Sequence, residues 1–248
     1  MAEGRRLLHA IAYAGSDLPA GVEAVRSGGL QAVCSLPAPG LEDADPERVA
    51  AEARHHHAVV QRLFSSGPVL PIRFGTMMDP DDIVPLLESY GGEVAAELQR
   101  LQGLAEWGVK VIADPAALAR AAEESSEAIR ETDEALSASQ AGRAYLLKRR
   151  REALLAEELD RHSAAVIDQV RAALARASVE QADLPPPSVT PAGGDMLANL
   201  AFLVPEQRAA EFEASADAAA DSAGVELEIS GPWPPYTFVR LSLGGEPA

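Results

Sequence analysis

Histidine is the residue type in this chain that is best suited to catalysis or metal binding, and three of its five histidines are consecutive. His55, His56 and His57 fall in a predicted helix, where neighbouring side chains point about 100° apart and cannot converge on one ion. His9 and His162 have no cysteine or carboxylate at a spacing typical of metal ligands. We therefore predict structural or surface histidines and no metal site.

Other patterns that carry chemistry are equally unspecific. The run DPDD at residues 79–82 could attract a cation, but it coincides with a predicted helix start, where acidic residues are favoured. The sequence has no GxSxG, Walker A, HExxH or GxGxxG motif, and no two of its 38 acidic residues are singled out by spacing. Cys34 lies in an apolar run and is predicted to be a buried thiol. We predict no catalytic residue and no cofactor.

Charge and hydropathy narrow the classes of partner. The net charge of −17 disfavours binding to nucleic acid and to anionic membrane surfaces. Long apolar runs of membrane-spanning length are lacking, so we expect a soluble chain without membrane insertion. The basic run from Lys148 to Arg151 spreads around a helix and is interpreted as a solvated surface.

Three predicted helices begin in the same way, with Asp at the N-cap and Pro at the first helical position: Asp45-Pro46, Asp79-Pro80 and Asp114-Pro115. The carboxylate accepts an unpaired backbone N–H, and Pro has no N–H to leave unpaired. Apolar runs of strand length alternate with these helices at Arg6–Ala14, Leu30–Leu36, Val69–Phe74 and Trp107–Ala113. The order β-β-α-β-α-β predicts an α+β domain over residues 1–113, of a ferredoxin-like variant.

The rest of the chain is predicted to be a helical region followed by a second small α+β unit. Residues 114–181 read as a helix to about Leu136 and a long amphipathic helix from Gly142 to Ala177, together a helical hairpin. Residues 182–248 begin with a proline-rich connector and continue as strand, helix and strand, with a further strand expected in TFVRLSL. Residues 114–248 together are interpreted as one C-terminal domain.

The segment GPWPPYTF, from Gly231 to Phe238, concentrates three of the chain's eleven aromatic residues between rigid prolines. We interpret it as a connection that closes the C-terminal core. The alternative is an aromatic partner-contact surface, since Trp and Tyr are enriched among interface anchors.

Four blocks in this order resemble the gas vesicle accessory proteins GvpF and GvpL. They are the helix around His56 that leads into GPVLPIRFGT, GRAYLLKRR from Gly142, LANLAFLV from Leu197, and GPWPPYTFV from Gly231. The family-motif residues are expected to be structural: His56, Gly75, Tyr145, Asn199, Trp233, Pro235 and Tyr236.

The resemblance implies two ferredoxin-like domains joined by helical elements, no enzymatic reaction, and a cytoplasmic protein associated with gas vesicles. It implies contact with the small hydrophobic shell protein GvpA and with other accessory proteins, during assembly or as a minor structural component of the wall. The N-terminal domain is the part credited with shell-protein contact.

The strand VLPIRF is a candidate docking element, because Pro71 lacks a ladder donor and so marks an edge or an irregularity. The partner-contact candidates are Val69, Leu70, Ile72, Arg73 and Phe74. For Arg73 we favour a structural role with a salt bridge over a binding role. From another class, the alternative function is a ferredoxin-like protein that senses a small molecule or catalyses a reaction at the histidine cluster or a sheet-face pocket.

Overall fold

The computed structural model of the chain describes residues 4–39, 45–186 and 194–241. The strands are β1 (Arg6–Tyr13), β2 (Glu23–Ser27), β3 (Leu30–Ser35), β4 (Val69–Pro71), β5 (Met77–Met78), β6 (Leu104–Ala113), β7 (Glu180–Asp183), β8 (Asp195–Pro205) and β9 (Glu226–Trp233). The helices are α1 (Pro46–Phe64), α2 (Pro80–Leu101), α3 (Pro115–Ser125), α4 (Glu127–Ser137), α5 (Ala141–Leu174) and α6 (Ala209–Ala223), the last preceded by a 3-10 turn at Glu206–Arg208. The α+β class predicted from the sequence is confirmed.

The chain divides into two compact units, residues 1–107 with 231–248, and residues 108–230. This division differs from the predicted boundary at residue 113, because β6 and β9 each begin in one unit and end in the other. It also assigns the terminal segment, predicted with the C-terminal unit, to the first unit.

The first unit contains a sheet in the order β2-β3-β1-β4, with β5 also paired to β1. The pairings of β1 with β3, β4 and β5 are antiparallel. Helices α1 and α2 pack against this sheet. Its central strands are buried along almost their whole length, so the core of the unit lies between β1, β3 and the two helices.

Three short strands, β2, β5 and β7, were missed by the sequence reading, which placed residues 180–183 in the helical region and the connector. β2 is only partly buried and carries Glu23 and Arg26, so it lacks the apolar run of its neighbours. β5 is two residues long. The ferredoxin-like description was based on fewer strands and stays a prediction.

The second unit contains the order β7-β8-β6-β9 in its sheet, to which β6 and β9 contribute their residues 108–113 and 226–230. Helices α3, α4 and α6 all contact the long helix α5. The single helix predicted from Asp114 to Leu136 is wrong, because Ser126 has extended backbone angles and separates α3 from α4. The strand expected in TFVRLSL is not formed over residues 237–241, and its last two residues lie outside the described part of the chain.

All three Asp-Pro pairs start helices, as predicted, but they do not act alike. The Asp45 carboxylate accepts a hydrogen bond from the Arg48 backbone N–H at 2.9 Å, and Asp114 accepts one from Ala116. Asp79 occupies the N-cap position of α2 without a side-chain cap bond. Its carboxylate lies 4.0 Å from Arg5, with both groups largely exposed.

The two caps can be compared directly. Asp45→Ala removes a hydrogen bond to an orphan N–H of α1 and should lower the free energy of unfolding by about 1 kcal/mol. Asp79→Ala removes no cap bond, and its exposed ion pair contributes little, so the expected loss is well below that of Asp45→Ala. Urea unfolding measures both, and an equal loss would contradict the assignment.

Candidate functional site

A chain of hydrogen bonds between buried polar side chains lies under the loop that was predicted to contact a partner. The Nδ1 atoms of His9 on β1 and His56 on α1 are 3.0 Å apart. His9 Nε2 lies 3.0 Å from the Ser35 hydroxyl, and His56 Nε2 lies 3.0 Å from the Ile72 carbonyl oxygen. His9 is fully buried and His56 is 2% exposed.

The geometry fixes where the protons lie. A carbonyl oxygen only accepts, so His56 Nε2 carries a proton and donates to Ile72. In a neutral His56 the Nδ1 atom is then bare and accepts from the protonated Nδ1 of His9. His9 Nε2 is bare in turn and accepts from the Ser35 hydroxyl. When both imidazoles are neutral, each of their four ring nitrogens therefore has a hydrogen-bond partner.

Burial maintains this neutral state. Desolvation, with a smaller contribution from the neighbouring histidines, lowers the pKa of His9 from 6.5 to about 4. Desolvation likewise lowers the pKa of His56, although its bond to the Ile72 carbonyl opposes the shift. A second proton on His56 would place two N–H groups against each other across 3.0 Å, which breaks the bond between the rings.

The histidine chain secures the turn Ile72–Thr76. The Ile72 N–H donates to the His9 carbonyl at 2.9 Å, so Ile72 is held through both its N–H and its carbonyl oxygen. The ring of Phe74 packs edge-on against His56 with centroids 5.5 Å apart. The Thr76 hydroxyl donates to the Arg73 carbonyl at 2.8 Å. Gly75 has φ of +89°, a conformation that side-chain-bearing residues rarely adopt.

A cleft of about 210 Å³ opens beside this turn. Most of its walls are apolar, and they come from β1, β4, the turn, β5, α2 and the C-terminal segment: Leu8, Leu70, Pro71, Ile72, Arg73, Thr76, Met78, Leu86, Val239 and Leu241. The site therefore combines a constrained turn with an apolar depression at the end of the sheet.

The partner-contact candidates separate by exposure. Val69 and Leu70 are each 1% exposed and belong to the core, although Leu70 also lines the cleft. Ile72 and Phe74 are half-buried, whereas Arg73 is exposed. The salt bridge expected for Arg73 is not found among the described residues, so the structural role favoured for it lacks its main contact.

The aromatic segment packs in the first unit, which corrects the interpretation that it closes the C-terminal core. The Trp233 and Tyr236 rings lie 5.4 and 6.1 Å from the ring of His57 on α1. Gly231 is required there, since a Cβ atom would lie 3.0 Å from the Glu106 carbonyl oxygen and 3.1 Å from the Trp107 ring. Sequence reasoning missed this placement because the partner residues are far away along the chain.

Two carboxylates hold the end of this segment. Glu106 accepts hydrogen bonds from the backbone N–H and the hydroxyl of Thr237, both at 2.7 Å, and burial raises its pKa. Glu97 accepts from the Arg240 backbone N–H at 2.8 Å and pairs with Arg100, which lowers the pKa of Glu97. Burial, with the nearby Glu106, raises the pKa of Tyr236 to about 12. Val239 and Leu241 are thereby held in the cleft wall.

The remaining family-motif residues lie elsewhere. Pro235 is buried within the aromatic segment. Asn199 on β8 donates to the Pro185 carbonyl at 2.7 Å, so its expected structural role has a contact to support it. Tyr145 on α5 is 63% exposed, and a packing role is not apparent from its position.

The three consecutive histidines and the cysteine have different surroundings. His55 is exposed, His56 is in the buried chain and His57 stacks on the aromatic segment, so the three consecutive histidines have separate environments. Within the described ranges, no three His, Cys, Asp or Glu side chains are grouped so as to hold a metal ion. Cys34 is buried, as predicted, and burial raises its pKa to about 11.

The histidine chain predicts a pH dependence of stability. Between pH 6.5 and about 4, unfolded chains bind a proton at His9 that the folded chain does not, so stability falls as the pH falls through this window. The free energy of unfolding that is lost through His9 when the pH falls from above 6.5 to below about 4 is roughly 3 kcal/mol. Urea unfolding as a function of pH measures the slope.

Variants separate this effect from other titrations. His9→Gln removes one of the two buried titrating histidines and should make the slope between pH 6.5 and about 5 shallower, with His56 supplying what remains. His55→Gln removes an exposed histidine and should leave the slope unchanged. The slope is compared, rather than absolute stability, because His9→Gln also alters packing. An unchanged slope in His9→Gln would contradict a neutral buried His9.

The carboxylate contact to Thr237 gives a second prediction. Glu106→Ala removes both acceptor oxygens, so the backbone N–H and the hydroxyl of Thr237 each lose their hydrogen-bond partner. Hydrogen exchange at the Thr237 amide should accelerate about tenfold or more. The exposed Glu93 provides the control Glu93→Ala, for which unchanged exchange is expected. Equal protection of Thr237 in all three proteins would show that Glu106 does not hold the segment.

The chain is similar to known proteins over nearly its whole length. Residues 4–240 match the family of gas vesicle synthesis proteins GvpL/GvpF. Gas vesicle protein L of Streptomyces sp. (strain CB03234) is 33% identical over 206 residues, covering 82% of this chain and 73% of the relative. Gas vesicle protein F of the same strain is 30% identical over 213 residues, covering 84% and 85%.

The fold has a counterpart among solved structures. The crystal structure of GvpF from Anabaena sp. PCC7120 superimposes with a TM-score of 0.77 at 18% identity, over 97% of this chain and 100% of that one. Among the described helices, none is both long enough and apolar enough to cross a membrane. With the match extending over nearly its entire length, the chain belongs to the GvpL/GvpF family of gas vesicle synthesis proteins.

Proposed function

We propose that this chain acts in gas vesicle formation as an accessory protein that binds the small hydrophobic shell protein GvpA, and other accessory proteins, before they join the vesicle. The proposal assigns it no reaction and places its action in the cytoplasm, at growing vesicles. The observation that carries the proposal is the apolar cleft beside the clamped turn Ile72–Thr76.

The cleft suits an apolar partner segment. Its walls are supplied largely by aliphatic side chains, among them Leu86, Met78 and Val239. A depression of about 210 Å³ accommodates one or two large side chains rather than a folded domain. The natural occupant is therefore an anchor residue of a partner chain, and a shell subunit that has not yet joined the wall exposes such residues.

The neighbouring strand adds a backbone surface. β4 ends the order of the first sheet, and among the described residues no further strand pairs with its outer edge. Pro71 at the end of β4 has no N–H to donate, which limits pairing there to a short stretch. A partner segment can thus meet a short edge and an adjacent cleft, which favours a specific contact over open-ended sheet growth.

Preorganisation and charge support the same role. The two histidines hold Ile72 and Phe74 in place before a partner arrives, so little conformational entropy is lost on binding. Arg73 lies exposed at the cleft, where it can reach a carboxylate or a carbonyl oxygen of the partner. The net charge of −17 keeps the complex from aggregating while the apolar segment is bound.

The proposal predicts that Arg73→Glu and Leu86→Glu each weaken binding of GvpA at least about tenfold, because one reverses the charge beside the cleft and the other places a charge in its wall. The exposed Arg54 on α1 provides the matched control Arg54→Glu, which makes the same charge change away from the cleft. The measurement is the amount of soluble GvpA that co-purifies after co-expression with each full-length chain.

Folding is monitored separately by thermal unfolding of each purified variant. Loss of GvpA with a melting temperature like that of the parent protein supports a binding surface. If parent and variants retain GvpA equally, the cleft is not the contact. If the parent protein neither solubilises GvpA nor co-purifies with it, the proposed function itself is wrong.

A further inference from the structure

The start of α5 carries exposed apolar and basic side chains that the proposed function does not use. Tyr145 and Leu146 are 63% and 67% exposed, the latter sharing with Leu36 the highest exposure among the exposed large apolar residues described. Arg143, Lys148 and Arg149 surround them and are also exposed. In a chain of net charge −17, such a surface is exceptional.

These cations differ from those farther along the same helix. Arg151 pairs with Glu123 and Asp133 at 2.8 and 2.7 Å, and Arg161 and Arg171 also have carboxylate partners. Within the described residues, no carboxylate lies within 4.0 Å of the charged group of Arg143, Lys148 or Arg149. The basic start of α5 is therefore left without internal neutralisation.

Arg151 marks the packed face of α5, since its partners lie on α3 and α4. The opposite face runs through positions spaced three, four or seven residues apart, and all of its members named here are exposed: Tyr145, Leu146, Arg149, Ala153, Glu157 and Asp160. From Tyr145 to Asp160 this face extends about 22 Å. It is long enough to pack along another helix.

Two opposite charges of this face lie at equal distances from its middle. Arg149 lies four residues before Ala153 and Glu157 lies four residues after it. A second copy laid antiparallel, with a twofold axis at Ala153, brings Arg149 of each copy opposite Glu157 of the other. The same operation brings Leu146 opposite Asp160 and Tyr145 opposite Arg161, which already pairs with Glu157 and Glu158 of its own helix. A small residue at the crossing point allows the two helices to approach closely.

We propose that α5 forms a twofold antiparallel contact with α5 of a second copy of this chain, centred on Ala153. Such an interface is isologous, so one favourable pairing occurs twice. It covers two exposed Tyr–Leu pairs and neutralises Arg149, which has no carboxylate partner among the described residues. The inference does not depend on which protein occupies the cleft beside β4.

Net charge does not prevent this association at physiological salt. Two copies of charge −17 repel each other, but screening reduces interactions beyond about 8 Å. Pairs in contact across the interface are screened less. The dimer should therefore weaken when salt is lowered enough for long-range repulsion to act.

Charge exchange tests the pairing. Sedimentation of the full-length chain should show a monomer–dimer equilibrium. Arg149→Glu and Glu157→Arg should each raise the dissociation constant about tenfold or more, since each turns two attractions into two repulsions. The double variant restores opposite charges in reversed order and should recover the dimer.

Matched controls exclude a general effect of charge. Lys148→Glu makes a change like that of Arg149→Glu at an exposed position off this face. Glu213→Arg makes the same change as Glu157→Arg on the exposed surface of α6. Both should leave the dissociation constant unchanged. A comparable loss in the controls, or a double variant that stays monomeric, would overturn the proposed pairing.

A cross-link tests the axis itself. Cysteines at Ala153 of two copies would lie next to each other, so Ala153→Cys should form a covalent dimer with a mild thiol oxidant, while Lys148→Cys should not. The native Cys34 is buried and contributes no background. A parent protein that stays monomeric at all concentrations, together with no cross-link from Ala153→Cys, would show that this face has no second copy as its partner.

Discussion

The hydrogen-bond chain from Ser35 through His9 and His56 to the Ile72 carbonyl is the constraint on which the cleft beside β4 depends. It joins β3, β1, α1 and the turn after β4, so one continuous hydrogen-bond network links four separate parts of the chain. Buried polar groups are tolerated only when they are satisfied, and here each imidazole has one donor and one acceptor bond. Removing any one member leaves a buried nitrogen or oxygen unpaired, which makes the turn conformation part of the core.

The same logic of buried polar contacts positions the other wall of the cleft. Glu106 and Glu97 hold Thr237 and Arg240 through their backbone N–H groups, and the residues between and after them supply Val239 and Leu241 to the cleft. Arg100 pairs with Glu97 and also donates to the Phe238 carbonyl. The C-terminal segment therefore adopts its course through hydrogen bonds from the body of the unit, rather than through a strand ladder of its own.

How much of this could be predicted depended on the range of the interaction. The Asp-Pro helix starts, the buried β1 and β3, and the edge position of β4, one of two possibilities given for Pro71, follow from local chemistry and were found from the sequence. The bond between His9 and His56 joins residues 47 positions apart and has no local pattern. The break at Ser126 was hidden because alanine and glutamate favour helix on both sides of it. The aromatic segment was recognised as distinctive, but its packing on His57 depends on tertiary contacts that no spacing reveals.

The cleft beside β4 and the exposed face of α5 have one feature in common, an exposed arginine. Several arginines of this acidic chain pair with carboxylates, as Arg100 and Arg151 illustrate. Arg73 beside the cleft and Arg149 on α5 are exposed, and neither has an ion pair within the described residues. An exposed arginine without an ion pair has little effect on the stability of an acidic protein, so its position alone does not indicate a binding surface. Each of these arginines has an apolar neighbour that is exposed or half-buried, Ile72 beside Arg73 and Leu146 beside Arg149. A partner that offers an apolar side chain and a negative group would bind such a surface favourably. A surface that only faces water does not require this combination.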